Sequence, residues 1–202
     1  MRISRWEPEF SSFDRLNSKL DRNCPHIVVT GSSTIRLWFE LEPDFLKYNV
    51  LNRGFGGGKM KDIPELIIRT SKNINISNLI IYAGGNDIAA LSSAENVVTD
   101  AAKIIETVKS IDNSIGIAFI SIIPHRKFWP LISEITRANK LLEQLTNEYG
   151  EGYIDVYSDM VTDISTPTSE KYFIQDGIHL SKEGYSLLSN KIITYINSLP
   201  RK

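Results

Sequence analysis

Three short runs constrain this chain more than any other feature. Residues 26–30, 78–83 and 115–123 are rich in Ile and Val, and each stops at a glycine or proline. Runs this short and this β-branched read as strands buried on both faces. Amphipathic stretches at helical spacing stand between and after them, over residues 63–71, 94–110 and 131–149. Two shorter strand segments, 48–51 and 153–156, complete a fivefold alternation of strand and helix. A short helix is expected over 35–41, and a last one runs from an N-cap at Ser181 to about residue 199. Residues 158–178 read as irregular. The alternation predicts one parallel sheet with helices on both faces, whose ligands bind outside the carboxyl ends of the strands. Residues 1–202 form a single domain on this reading. Its first 26 residues are a helical segment that turns Phe10, Phe13, Leu16 and Leu20 toward the sheet.

Composition narrows the function. The 202 residues carry a formal net charge of −1 with acids and bases interspersed, so no footprint for nucleic acid or an anionic membrane is present. No apolar run approaches the roughly 18–20 residues of a membrane span. The N-terminus, with Arg2, Arg5, Glu7 and Glu9, lacks the apolar core of a signal peptide, and a cytoplasmic location is expected. Cys24 is the only cysteine, expected as a small buried hydrophobe. Three scattered histidines without paired carboxylates predict no metal site.

The loops that follow the strands carry the chemistry. The run ending at Thr30 meets Gly31-Ser32-Ser33-Thr34, a sharp turn into a helix. A serine there stands above the sheet edge beside the unpaired N–H groups of a helix start, which suits a nucleophile in acyl transfer. Its plain alternative is a pair of helix-capping serines. The second loop, Gly54-Phe55-Gly56-Gly57-Gly58-Lys59, fails as a phosphate loop, because Arg53 and Met60 stand where Gly and Ser/Thr are required. It offers bare backbone that can approach a ligand, or simply a flexible connector. Gly84-Gly85-Asn86-Asp87 follows the third strand. Asn86 can point its amide into the cleft and Asp87 can cap the next turn, or the stretch is a plain Gly-Asn turn. In Asp176-Gly177-Ile178-His179 the spacing lets the carboxylate reach Nδ1 of the imidazole and leave Nε2 free as a base. His26 is expected at the start of the first strand, and His125 has no acid beside it.

In this order the segments resemble the SGNH or GDSL-like hydrolases. Gly31-Ser32-Ser33-Thr34-Ile35-Arg36-Leu37-Trp38 is similar to the Gly-Ser-Ser variant of that family's first block, with Ser32 where aspartate is commoner. Asn52-Arg53-Gly54-Phe55-Gly56-Gly57 resembles the second block, Gly84-Gly85-Asn86-Asp87 the third, and Ser121-Ile122-Ile123-Pro124 the one after the fourth strand. Asp176-Gly177-Ile178-His179-Leu180-Ser181 with Gly184-Tyr185 resembles the fifth. The resemblance implies a flavodoxin-like α/β/α sandwich with five parallel strands ordered 2-1-3-4-5. It implies a cofactor-free serine esterase acting on a small-molecule ester, with Ser33 as nucleophile, His179 as base and Asp176 as its orienting acid. The oxyanion would be held by the Ser33 N–H, the Gly57 N–H and the Asn86 side chain. Short, glycine-rich loops without a lid favour a short acyl group such as acetyl. The same residues would also serve an acyltransferase, and a non-catalytic ligand-binding module is the remaining alternative.

Overall fold

The computed structural model describes residues 5–200. The elements run α1 (Glu7–Asn17), β1 (Pro25–Gly31), α2 (Ser33–Arg36), α3 (Leu41–Asp44), β2 (Val50–Gly54), α4 (Ile63–Ser71), β3 (Asn75–Tyr82) and α5 (Gly85–Ala89). They continue as α6 (Ala94–Ile111), β4 (Gly116–Ile120), α7 (Ile132–Tyr149), β5 (Gly152–Ile154), α8 (Tyr157–Met160) and α9 (Lys182–Ser198). All neighbouring strands pair in parallel, in the order β2-β1-β3-β4-β5. This is the three-layer architecture expected from the alternation.

The two-residue period of the strands divides the core in two. Val28, Leu79, Ile81, Ile117 and Phe119 point to one face and pack under α1, α4, α6 and α7. Ile27, Val29, Ile80, Tyr82, Ala118 and Ile120 point to the other, under α2, α3, α8 and α9. Both faces are covered, so the central strands contain scarcely a polar residue between Ile27 and Val29 or between Leu79 and Tyr82.

Several boundaries differ from the sequence reading, each for a local reason. The second strand begins at Val50 rather than at 48, because Tyr48 closes a 3₁₀ turn and Asn49 adopts a left-handed φ of 52°. It runs on through Asn52, Arg53 and Gly54, which pair with Val29, Thr30 and Gly31. The run 115–123 is strand only from Gly116 to Ile120. Beyond it, Ile122 leaves the sheet and gives both backbone groups to the Asn139 amide: its N–H donates to Oδ1 at 2.6 Å and its carbonyl accepts from Nδ2 at 3.0 Å. The helix expected over 35–41 is a single turn, α2, followed by the separate turn α3. In α1 Phe10 is fully buried and Phe13 packs against the same core; Leu16 is 49% exposed, and Leu20 reaches that core from past the helix end. Arg69 of α4 holds α1 in place through Glu7 (2.8 Å) and Asp14 (2.5 Å). Cys24 is only half-buried, its Sγ accepting from the Asn49 amide at 3.3 Å.

Candidate active site

The ends of β1, β2 and β3 meet at one edge of the sheet. Gly31 closes β1 with φ +137°, and a Cβ there would fall 1.8 Å from the Tyr82 carbonyl oxygen, so the turn admits glycine alone. The same carbonyl accepts the Ser32 N–H at 3.0 Å. Ser32 then takes an extended backbone and its side chain is buried, while Ser33 becomes the first residue of α2. As the first helical residue, Ser33 carries a backbone N–H outside the helix's own ladder. Asn52 of β2 stops α2, its amide donating to the carbonyls of Ile35 (2.8 Å) and Trp38 (3.1 Å). Its Oδ1 accepts the Gly54 N–H at 2.9 Å, which starts the glycine loop.

Asp176 and His179 sit in a tight hairpin closed by the Phe173–Leu180 bridge and by the Ile174 N–H bonding the His179 carbonyl at 2.9 Å. Asp176 Oδ1 accepts the N–H groups of Ile178 (2.8 Å) and His179 (2.9 Å), and Oδ2 accepts His179 Nδ1–H at 2.6 Å. Partial burial raises the Asp176 carboxyl. The His179 ring and the two backbone donors outweigh it and bring the group down to about 2. An ionised carboxylate only accepts, so the His179 proton resides on Nδ1 and Nε2 is left as an acceptor. Ser33 Oγ stands 3.1 Å from that Nε2. The structure thus joins Ser33, His179 and Asp176 in one hydrogen-bonded line, and it is Ser33, not Ser32, that meets the imidazole.

The glycine loop folds over the same edge, the Phe55 N–H bonding the Gly31 carbonyl at 2.9 Å. Gly57 adopts φ +68°. Asn86 in α5 donates one amide hydrogen to the Gly58 carbonyl at 3.0 Å, which ties the third loop to the second. Asp87 does not cap the next turn as expected. It is buried, and its Oδ2 accepts the Met60 N–H at 3.1 Å, fixing the far end of the glycine loop. Burial pushes its carboxyl above the usual value, with the Met60 N–H opposing.

His125 supports the hairpin from beneath. Its Nδ1–H donates to the Ile178 carbonyl at 2.7 Å, and its Nε2 accepts the Tyr82 hydroxyl at 3.0 Å. Burial lowers its pKa to about 4, with the Ile178 carbonyl opposing, so the ring is neutral at pH 7. Burial likewise drives the Tyr82 phenol well above its ordinary value. Neither role was read from the sequence, where no acid stands near His125. The Tyr185 hydroxyl, also unassigned, donates to the Thr34 carbonyl beside Ser33 at 2.9 Å. Tyr185 and Lys182, from the first turns of α9, also line a groove of about 880 Å³ with Trp38, Glu40, Asp44 and Asn190. Asn139 had a visible signal, since it interrupts the apolar face formed by Ile135, Ala138 and Leu142. No group of three His, Cys, Asp or Glu side chains that could hold a metal occurs among the described residues. Likewise, no helix among them is long and apolar enough to cross a membrane.

Comparison with known proteins bears on the fold and the family. The solved structure of a GDSL-like lipase from Bacteroides thetaiotaomicron superposes with a TM-score of 0.79 at 22% identity, over 93% of this chain and 97% of that one. A member of the lipolytic G-D-S-L family from Veillonella parvula gives 0.72 at 17% identity, over 87% and 100%. Both likenesses concern the fold. Among curated proteins, an N-acylneuraminate cytidylyltransferase of Escherichia coli is 25% identical over 187 residues, 89% of this chain. The match spans only 42% of that relative's length. The profile of the GDSL-like Lipase/Acylhydrolase family matches residues 31–187, from the turn before Ser33 to the first turns of α9. The chain therefore belongs to the GDSL-like lipase/acylhydrolase family of ester-hydrolysing enzymes.

Proposed function

We propose that this chain is a serine esterase that transfers a short acyl group from a polar alcohol to water. The observation that carries the reading is the line Ser33 Oγ–His179 Nε2 (3.1 Å), His179 Nδ1–Asp176 Oδ2 (2.6 Å). Ser33 attacks the ester carbonyl while His179 takes its proton, and Asp176 orients the ring and stabilises the imidazolium. The negative oxygen of the tetrahedral intermediate is received by the N–H groups of Ser33 and Gly57 and by the second amide hydrogen of Asn86. His179 then returns its proton to the leaving alcohol. Water, activated by the same imidazole, releases the acid and restores Ser33.

The acyl side is short and the alcohol side polar on this reading. The loops around Ser33 are a four-residue turn and a glycine loop, with no apolar insertion to enclose a fatty chain. The groove along α9 is lined by none of the triad residues and meets the site through Tyr185, whose hydroxyl bonds the Thr34 carbonyl; on this reading its carboxylates, lysine and amide receive a hydroxylated leaving group. The similarity to a protein named for N-acylneuraminate, a sugar acid, is in keeping with a carbohydrate alcohol. An enclosed acyl pocket gains roughly 1–3 kcal/mol per methylene, whereas an open cleft gains little. The test is kcat/KM for p-nitrophenyl esters of two to twelve carbons, with Ser33→Ala as control. Acetate should be favoured over octanoate, and Ser33→Ala should abolish turnover at unchanged thermal stability. A maximum at eight carbons or beyond would refute the short-acyl assignment, and an active Ser33→Ala would refute the mechanism.

A further inference from the structure

The glycine loop is the least self-determined part of the site. Gly54, Gly56, Gly57 and Gly58 have no Cβ to restrict their backbone, and ordering glycine is entropically the most costly of all residues. Yet three successive carbonyls of this loop are each held by a side chain from elsewhere. Gly56 O accepts Trp6 Nε1–H at 2.7 Å, Gly57 O accepts Arg5 Nη2–H at 2.7 Å, and Gly58 O accepts the Asn86 amide at 3.0 Å. Two of the three donors come from the segment just before α1, some fifty residues away in sequence and outside every segment that resembles the hydrolase family.

In a trans peptide the C=O and the following N–H lie in one plane and point in opposite directions. No cis peptide is present among the described residues. The plane that carries the Gly57 N–H is therefore the plane whose carbonyl, Gly56 O, is tied to the Trp6 indole. Fixing that carbonyl toward Trp6 fixes the Gly57 N–H away from it. Arg5 does the same for the next plane, which carries the Gly58 N–H.

The anchor itself is rigid. The Trp6 side chain is buried, edge-on to Phe55 (ring centroids 5.1 Å apart) and offset from Phe10 (6.4 Å). The Arg5 guanidinium lies 4.0 Å over its ring. Behind it, Arg69 clamps α1 to α4 through Glu7 and Asp14.

We propose that Trp6 and Arg5 are positioning residues that preset the oxyanion-binding N–H groups of the glycine loop. This rests on the reading of Ser33 as nucleophile and Gly57 as donor. Losing one such donor outright costs about 10²–10³ in rate, and letting it wander costs a part of that.

Trp6→Phe keeps a ring for Phe55 and Phe10 but removes the N–H, and Arg5→Ala removes an exposed donor with little risk to folding. With p-nitrophenyl acetate, Trp6→Phe should lower kcat about tenfold with KM within twofold. Arg5→Ala should show a smaller loss of the same kind, restored by Arg5→Lys. Affinity for a boronic acid, whose tetrahedral serine adduct places an oxygen at the oxyanion donors, should fall in parallel with kcat. The proposal is overturned if kcat of both variants stays within twofold of the parent. It is also overturned if stability falls while boronate affinity does not, since that is the signature of a merely structural contact. Ser33→Ala separates the two levels. If it remains active, the esterase reading fails and takes this proposal with it. If it is inactive while Trp6→Phe and Arg5→Ala both turn over normally, the positioning role alone fails.

Discussion

His125 lies buried between the Tyr82 hydroxyl and the Ile178 carbonyl, and burial lowers its pKa from 6.5 to about 4. The unfolded chain takes up a proton at this residue near pH 6.5, and the folded protein does so only near pH 4. Stability contributed by the neutral ring is therefore complete above pH 6.5 and is lost as the pH falls toward 4. At 1.36 kcal/mol per pKa unit, the loss by pH 4 is about 3 kcal/mol. For a chain of this size that is roughly 6–12 °C of melting temperature. Asp176 acts in a lower window, because its depressed carboxyl contributes stability above its unfolded value of 3.8 that is lost only toward about 2. The measurement is thermal unfolding by circular dichroism from pH 7 to 4 at fixed ionic strength, on the parent and on His125→Asn. The asparagine amide keeps a donor for the Ile178 carbonyl but does not titrate. It also forfeits ring contacts with Phe128 and Phe173, which lowers the starting stability without affecting its pH slope. The parent should lose 6–12 °C more than the variant over this range. Parallel profiles would show that His125 does not titrate as a buried neutral ring, and the account of the hairpin's support would fail.

Three further outcomes follow from single contacts. Asp176→Asn should lower kcat by up to about 10⁴ with little change in KM, because an amide N–H facing Nδ1 forces the ring proton onto Nε2; steady-state kinetics would check it. Gly31→Ala should prevent stable folding or lower the melting temperature sharply, since its Cβ would overlap the Tyr82 carbonyl 1.8 Å away; calorimetry of the purified variant decides. Asn139→Leu should cost about 2–6 kcal/mol in urea unfolding, because it leaves the buried N–H and carbonyl of Ile122 without partners at about 1–3 kcal/mol each.

What could be read from the sequence, and what could not, divides along a physical line. The five strands and the convergence of the loops that follow them at one edge come from apolar periodicity and from the rules of parallel sheets, both of which are local or topological, whereas the strand order came with the family resemblance. The contact between Asp176 and His179 was legible for the same reason, since three residues of spacing set it. Boundaries were lost where a long-range partner decides them. The run after Ile120 is as apolar as the strand before it, and only the Asn139 amide, on another element, takes its backbone out of the sheet. Polar Asn52 and Arg53 look like loop until pairing with Val29 and Thr30 extends the strand through them.

The deepest loss is in the glycine loop. Glycines announce where a backbone is free to bend, but carry no information about which way its N–H groups will point. That direction is written in Trp6, Arg5, Asn86 and Asp87, whose side chains reach the loop from two other parts of the chain. A block of sequence can therefore mark where an oxyanion would be held, while two of the residues that aim the donors, Trp6 and Arg5, lie outside every such block and carry no pattern of their own.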